Sequence, residues 1–89
     1  MRLARNVQRG LVSHLRDKYP GVVDLGVKRG PFFVLVGAYM PCVLVETAFL
    51  THPVEGPRLV RESYRADLAE GLYRGIARFL RDLSRRRTL

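Results

Sequence analysis

Apolar positions along the chain fall into two helical stripes separated by two unbroken apolar runs. Leu3, Val7, Leu11 and Leu15 recur every four residues, with Ala4 and Val12 beside them and Arg2, Arg5, Arg9 and Arg16 between them. That spacing predicts an amphipathic helix from about Leu3 to Lys18, stopped by Tyr19-Pro20-Gly21. Gly21 to Gly30 reads as a connection. Phe32-Phe33-Val34-Leu35-Val36 is β-branched and aromatic and predicts a first strand. Gly37 to Pro41 is a short link, and Cys42 to Thr47 predicts a second strand. Its core, Val43-Leu44-Val45, does not alternate with polar residues, as suits a strand covered on both faces. Five link residues allow a hairpin and are too few for a parallel crossover, so the two strands are expected to be antiparallel or non-adjacent. Thr51-His52-Pro53 and Gly56-Pro57 punctuate a turn. Pro57 opens a short helix to Glu62. Ser63 is the expected N-cap of a last helix, Tyr64 to about Leu83, striped by Leu68, Leu72, Ile76, Phe79, Leu80 and Leu83. Residues 84–89 are expected to fray as a basic tail.

The order is therefore α-β-β-α-α, an α/β chain. Two strands are too few for an independent sheet, so this reading implies a missing part or a partner. With 89 residues there is one domain at most, and a chain of this size buries only about 60% of its unfolded surface. No apolar run approaches the ~20 residues of a membrane span, and no signal-peptide segment follows Met1.

Charge changes the picture. Sixteen Lys and Arg against eight Asp and Glu give a net +8, and fourteen of the cations are Arg. Such a balance favours an anionic partner: nucleic acid, anionic lipid or an acidic wall polymer. No nucleic-acid motif is present and aromatics do not interleave with the arginines. A basic binding module for wall or nucleic acid is thus the second reading, and any chain this basic binds DNA weakly.

The candidate chemistry is sparse. His14, His52 and Cys42 make no metal-ligand spacing. His14 reads as structural or solvated, His52 as a turn residue and Cys42 as a small core residue. The serines lie in or beside helices with no nucleophile elbow. Glu46 stands out, because a lone carboxylate closing an apolar run must be paired or used. A structural pairing with Lys28 or Arg29 is the plain alternative.

Gly26-Val27-Lys28-Arg29, Phe33-Val34-Leu35 and Met40-Pro41-x-Val43-Leu44-Val45-Glu46-x-x-Phe49-Leu50-Thr51 resemble the C-terminal half of the zinc-dependent N-acetylmuramoyl-L-alanine amidases. Leu3-Ala4-x-x-Val7-Gln8-x-x-Leu11 upstream, and Pro53, Glu55, Leu59, Tyr64, Ala69 and Gly75-Ile76-Ala77-x-Phe79 downstream, agree with that frame. The resemblance implies a zinc-hydrolase-type α/β fold with a mostly parallel sheet, of which residues 1–83 are the C-terminal half. It implies a peptidoglycan substrate, cleaved between muramic acid and L-alanine, and a cell-envelope or extracellular location. It assigns Glu46 the proton transfer beside a zinc-bound water. The family's zinc ligands, two His and a Glu, fall in the half that is absent. This chain alone is therefore expected to bind no zinc and to be inactive, as a truncation, a start assigned at an internal Met, or half of a split enzyme. A zinc-free descendant that binds without cleaving is a further reading. His52 stands where the family more often has Asn, Ala48 where Gly is usual, and Cys42 where Ala is common. An isolated chain is expected to self-associate through uncovered edges and faces.

Overall fold

The computed structural model describes residues 2–30, 35–48 and 50–87. Three helices organise them: α1 (Arg2–Arg16), α2 (Glu55–Leu59) and α3 (Glu62–Arg87). α1 and α3 lie against each other in opposite directions, so that Val7 of α1 meets Gly75 of α3 while His14 meets Asp67. Val7, Leu11 and Leu15 from α1 and Tyr64 and Leu68 from α3 form the buried core. Fully burying a side chain of this kind contributes about 1.5–3 kcal/mol. Leu3, Tyr19, Val22, Val45, Leu59 and Leu72 pack around that core, half-buried.

The two helices approach at their glycines. A Cβ at Gly10 would stand 2.7 Å from the Gly75 nitrogen, and a Cβ at Gly75 would stand 2.6 Å from both the Asn6 oxygen and the Val7 Cα. Backbone meets backbone here, and only hydrogen fits. Gly71 is less tight, with Leu11 atoms 3.1 Å from the position of its Cβ. The inward stripe of α3 is thus Tyr64, Leu68, Gly71 and Gly75, all buried. Ile76 and Leu80, placed in the apolar stripe by their spacing, are 44% and 55% exposed.

The α/β expectation is overturned: no strand or sheet occurs among the described residues. Of the first expected strand, residues 32–34 lie outside them, and Leu35 and Val36 form a turn. The second, Cys42 to Thr47, runs without a ladder. Its burial alternates, with Val43 and Val45 half-buried and Leu44 and Glu46 exposed. An apolar run becomes a strand only when another backbone takes up its amides and carbonyls. Here the run meets helix side chains on one side and solvent on the other.

Boundaries also shift. α2 starts at Glu55 rather than Pro57. Pro57 falls in the first turn, where a missing amide hydrogen removes no helical bond. α3 starts at Glu62 and places Ser63 inside the helix, not at its cap. Only Val60 and Arg61 separate the two helices. The Arg65 Nη1 group donates to the Leu59 carbonyl across that break at 2.8 Å, and Glu62 puts a negative charge at the positive end of α3. The expected tail at 84–87 is helical, since no Gly or Pro stops a run of good helix formers. No helix of the described residues is long and apolar enough to cross a membrane.

Candidate functional site

Glu46 lies in the irregular segment between Ala38 and Ala48, and the residue beside it positions it. Val45 packs against the α1–α3 core. The alternation of sides then turns Glu46 outward, and it is exposed. Among the described residues it forms no ion pair, with Lys28, Arg29 or any other cation. The pairing with Lys28 or Arg29 is therefore not found. An exposed carboxylate on an anchored backbone can accept a proton from water and return it to a departing amine, given a substrate within hydrogen-bond reach.

The segment downstream is fixed by His52. Its Nδ1 accepts from the amides of Val54, at 3.1 Å, and Glu55, at 2.9 Å. Its carbonyl accepts from the Gly56 amide at 2.9 Å. A side-chain acceptor thus satisfies the free donors at the start of α2, in the manner of an N-cap. This matches the sequence expectation of a turn residue. Upstream, Asp24 holds the connection onto α1. It accepts from the Gly26 amide at 2.8 Å and from the Gln8 side chain at 2.7 Å. The Gln8 bond, then that of Gly26, holds the Asp24 carboxyl below its ordinary range.

A second polar centre joins α1 and its C-terminal turn to α3, and sequence reasoning missed it. Asp67, on the inner side of α3, accepts from the Tyr19 hydroxyl through Oδ2 at 2.5 Å and from Lys18 Nζ through Oδ1 at 3.0 Å. The buried His14 stands beside it, with Nε2 3.5 Å from the same Oδ1. That separation is an electrostatic contact without hydrogen-bond geometry, and Nε2 has no hydrogen bond among the described residues. Tyr19 also sits edge-on to Tyr64, with centroids 4.7 Å apart, and under the Arg58 guanidinium at 5.4 Å. The Tyr19 bond, then Lys18, lowers the pKa of Asp67. The same bond to Asp67, then burial, raises that of Tyr19, and burial raises that of Tyr64. The signal for Asp67 was available: three residues after Tyr64 and four before Gly71, it shares their face of the helix.

Zinc is the cofactor implied by the family resemblance, and the described residues do not fit it. No three His, Cys, Asp or Glu side chains among them converge on a metal position. His14 is packed beside Asp67, His52 spends Nδ1 on the start of α2, and Cys42 is exposed with Sγ 3.9 Å from the Leu35 carbonyl. Cys42 is therefore not the core residue expected from an apolar strand.

The segment bearing Glu46, α1, α2, the turn at His52 and the larger part of α3 lie within residues 1–78, the stretch that matches the N-acetylmuramoyl-L-alanine amidase family. Among individual relatives, the uncharacterized protein YqiI of Bacillus subtilis is 36% identical over 75 residues, 84% of this chain and 34% of that protein. The N-acetylmuramoyl-L-alanine amidase LytC of the same organism is 35% identical over 80 residues, 90% of this chain and 15% of LytC. The N-acetylmuramoyl-L-alanine amidase AmiC of Neisseria meningitidis is 38% identical over 71 residues, 80% of this chain and 15% of AmiC. The chain spans about a third of the first of these proteins and a smaller share of the other two. No solved structure matches it. With the family match running from the first residue through most of α3, and relatives from two bacterial genera aligned over most of its length, the chain belongs to the N-acetylmuramoyl-L-alanine amidase family.

Proposed function

We propose that the chain is the glutamate-bearing C-terminal part of a peptidoglycan amidase module, acting at the cell envelope on the amide between muramic acid and L-alanine. Glu46 is its proton carrier. It takes a proton from the attacking water and delivers it to the nitrogen of L-alanine as the C–N bond breaks. One observation carries the reading: within the family match, the segment anchored on the core by Val45 presents an exposed carboxylate, Glu46, with no partner among the described residues. A carboxylate in that state is free to engage substrate. A zinc ion belongs to this reading through the family alone. Its ligands would come from outside this chain, and the proton steps assigned to Glu46 need only a carboxylate within reach of the water and the leaving nitrogen.

The test is a chimera. Residues 1–78 replace the matching segment of LytC, and the release of new α-amino groups from purified peptidoglycan is followed. Release of N-terminal L-alanine above that of the 89-residue chain alone is the expected result. A folded chimera with no release, beside an active LytC control, would sink the proposal.

A further inference from the structure

A second feature of the helix pair has no part in the amide chemistry. On one side of the α1–α3 contact, where the glycines bring the helices together, runs a groove of about 360 Å³. Arg9 lines it from α1, and Tyr73, Arg74, Arg78 and Arg81 line it from α3, with the buried His14 near one end. No acidic side chain among the described residues lines it. Arg74 pairs with Glu70 at 3.3 Å. Arg9, Arg78 and Arg81 are exposed and form no ion pair among the described residues.

Three guanidinium groups share one groove without a counter-charge. Arginine stays protonated and presents a planar fork that fits phosphate oxygens. Like charges in a cleft also raise the local potential beyond what the same charges produce when scattered. We propose that this groove binds the phosphodiester groups of a polyol-phosphate polymer of the cell wall, and so holds the module on an anionic wall while Glu46 works elsewhere. Nucleic acid has the same backbone chemistry but is read in single strands by aromatic platforms, and among the described residues Tyr73 is the only aromatic one in this lining. The choice of a wall polymer rests on the amidase reading. The binding site itself does not, and its readout is affinity, not hydrolysis, so the two can fail separately.

The experiment measures binding of the full chain to purified poly(glycerol phosphate) by titration across a series of salt concentrations. Three proteins are compared: the wild type, the groove variant R9Q/R78Q/R81Q, and a charge-matched control, K28Q/R29Q/R61Q, altered at exposed positions outside the groove. The groove variant is expected to bind at least ~10-fold more weakly than the control. Its slope of log affinity against log salt should be shallower by about 2. Equal losses in the two variants would overturn the proposal and leave only a solvated basic surface. Double-stranded or single-stranded DNA of equal phosphate number binding more tightly than poly(glycerol phosphate) would overturn the choice of ligand. Helical circular dichroism is recorded for each protein. R78Q alone, one charge removed from an exposed helical position, carries the same comparison against R61Q if the triple variant fails to fold.

Discussion

Gly75→Ala tests the close approach on which the fold depends. Helix propensity alone says that the substitution helps, by about 1 kcal/mol in a helix interior. The structure says otherwise. The new Cβ would stand 2.6 Å from the Asn6 oxygen and the Val7 Cα, about 0.8 Å inside the 3.4 Å at which ordinary contact begins. Both atoms are backbone of α1, so no rotamer change relieves the clash and the helices must separate. Overpacking of this kind costs about 1–3 kcal/mol or more. Separation also loosens Val7 and Leu11, which are 3% and 6% exposed. The net effect is a loss of up to about 2 kcal/mol, at most roughly 8–16 °C in Tm for a chain of this size. Gly10→Ala, with contacts of 2.7 and 2.8 Å, should behave similarly. Gly71→Ala meets Leu11 at 3.1 Å and partly a movable side chain, so its cost and its propensity gain should nearly cancel. Thermal melts of the three variants followed by circular dichroism give the ranking. A Gly75→Ala protein more stable than wild type would refute the close helix contact.

Other consequences follow from the polar contacts and the uncovered surface. The folded pKa of Asp67 lies below its ordinary 3.8, so its contribution is present above that value and is lost as pH falls through the lower, folded value. The folded pKa of Tyr19 lies above its ordinary 10.0, so its contribution is full below pH 10.0 and is lost as pH rises through the folded value. Asp67→Ala should therefore lower Tm at neutral pH and flatten the acid limb of the stability profile, and an unchanged acid limb would count against the Tyr19–Asp67–Lys18 contacts. His52→Ala should cost about 1 kcal/mol through loss of the acceptor at the start of α2, while His52→Asn, which keeps an acceptor, should cost less; denaturant midpoints read the difference. Tyr39, Met40, Leu50, Val60 and Leu80 are all more than half exposed. The isolated chain should consequently self-associate at micromolar concentration, and sedimentation that stays monomeric at those concentrations would exclude this.

How much was legible in the sequence differs by element. The first helix was, because Leu3, Val7, Leu11 and Leu15 sit on one stripe and a Pro-Gly stop follows. The last helix was located, but its inner face was misjudged. Hydrophobic spacing found Leu68 and Leu72 but also pointed to Ile76 and Leu80, which are exposed, whereas the closest contact is made by Gly71 and Gly75. Glycine carries no hydrophobic signal, and its value appears only when another backbone comes near. The two strands were misread for a related reason. Apolar content measures a wish for burial, and only a pairing neighbour makes a ladder. Val45 found the helix core instead. At the site, Glu46 was singled out as a carboxylate ending an apolar run, and it emerges exposed rather than buried. Asp67 was overlooked because its partners Lys18 and Tyr19 are some 50 residues away, joined to it only by the helix pairing.

The central claim is that Glu46 moves the proton, and Glu46→Gln tests it most directly. Glutamine keeps the size and the exposed position and removes the titrating oxygen. In the LytC chimera carrying residues 1–78, the substitution should lower kcat for L-alanine release by about 10²–10⁴-fold, the range expected of general acid–base catalysis. Affinity for peptidoglycan and the melting temperature should be unchanged, since Glu46 has no partner to lose among the described residues. A Glu46→Gln chimera that releases L-alanine at the wild-type rate would contradict the account.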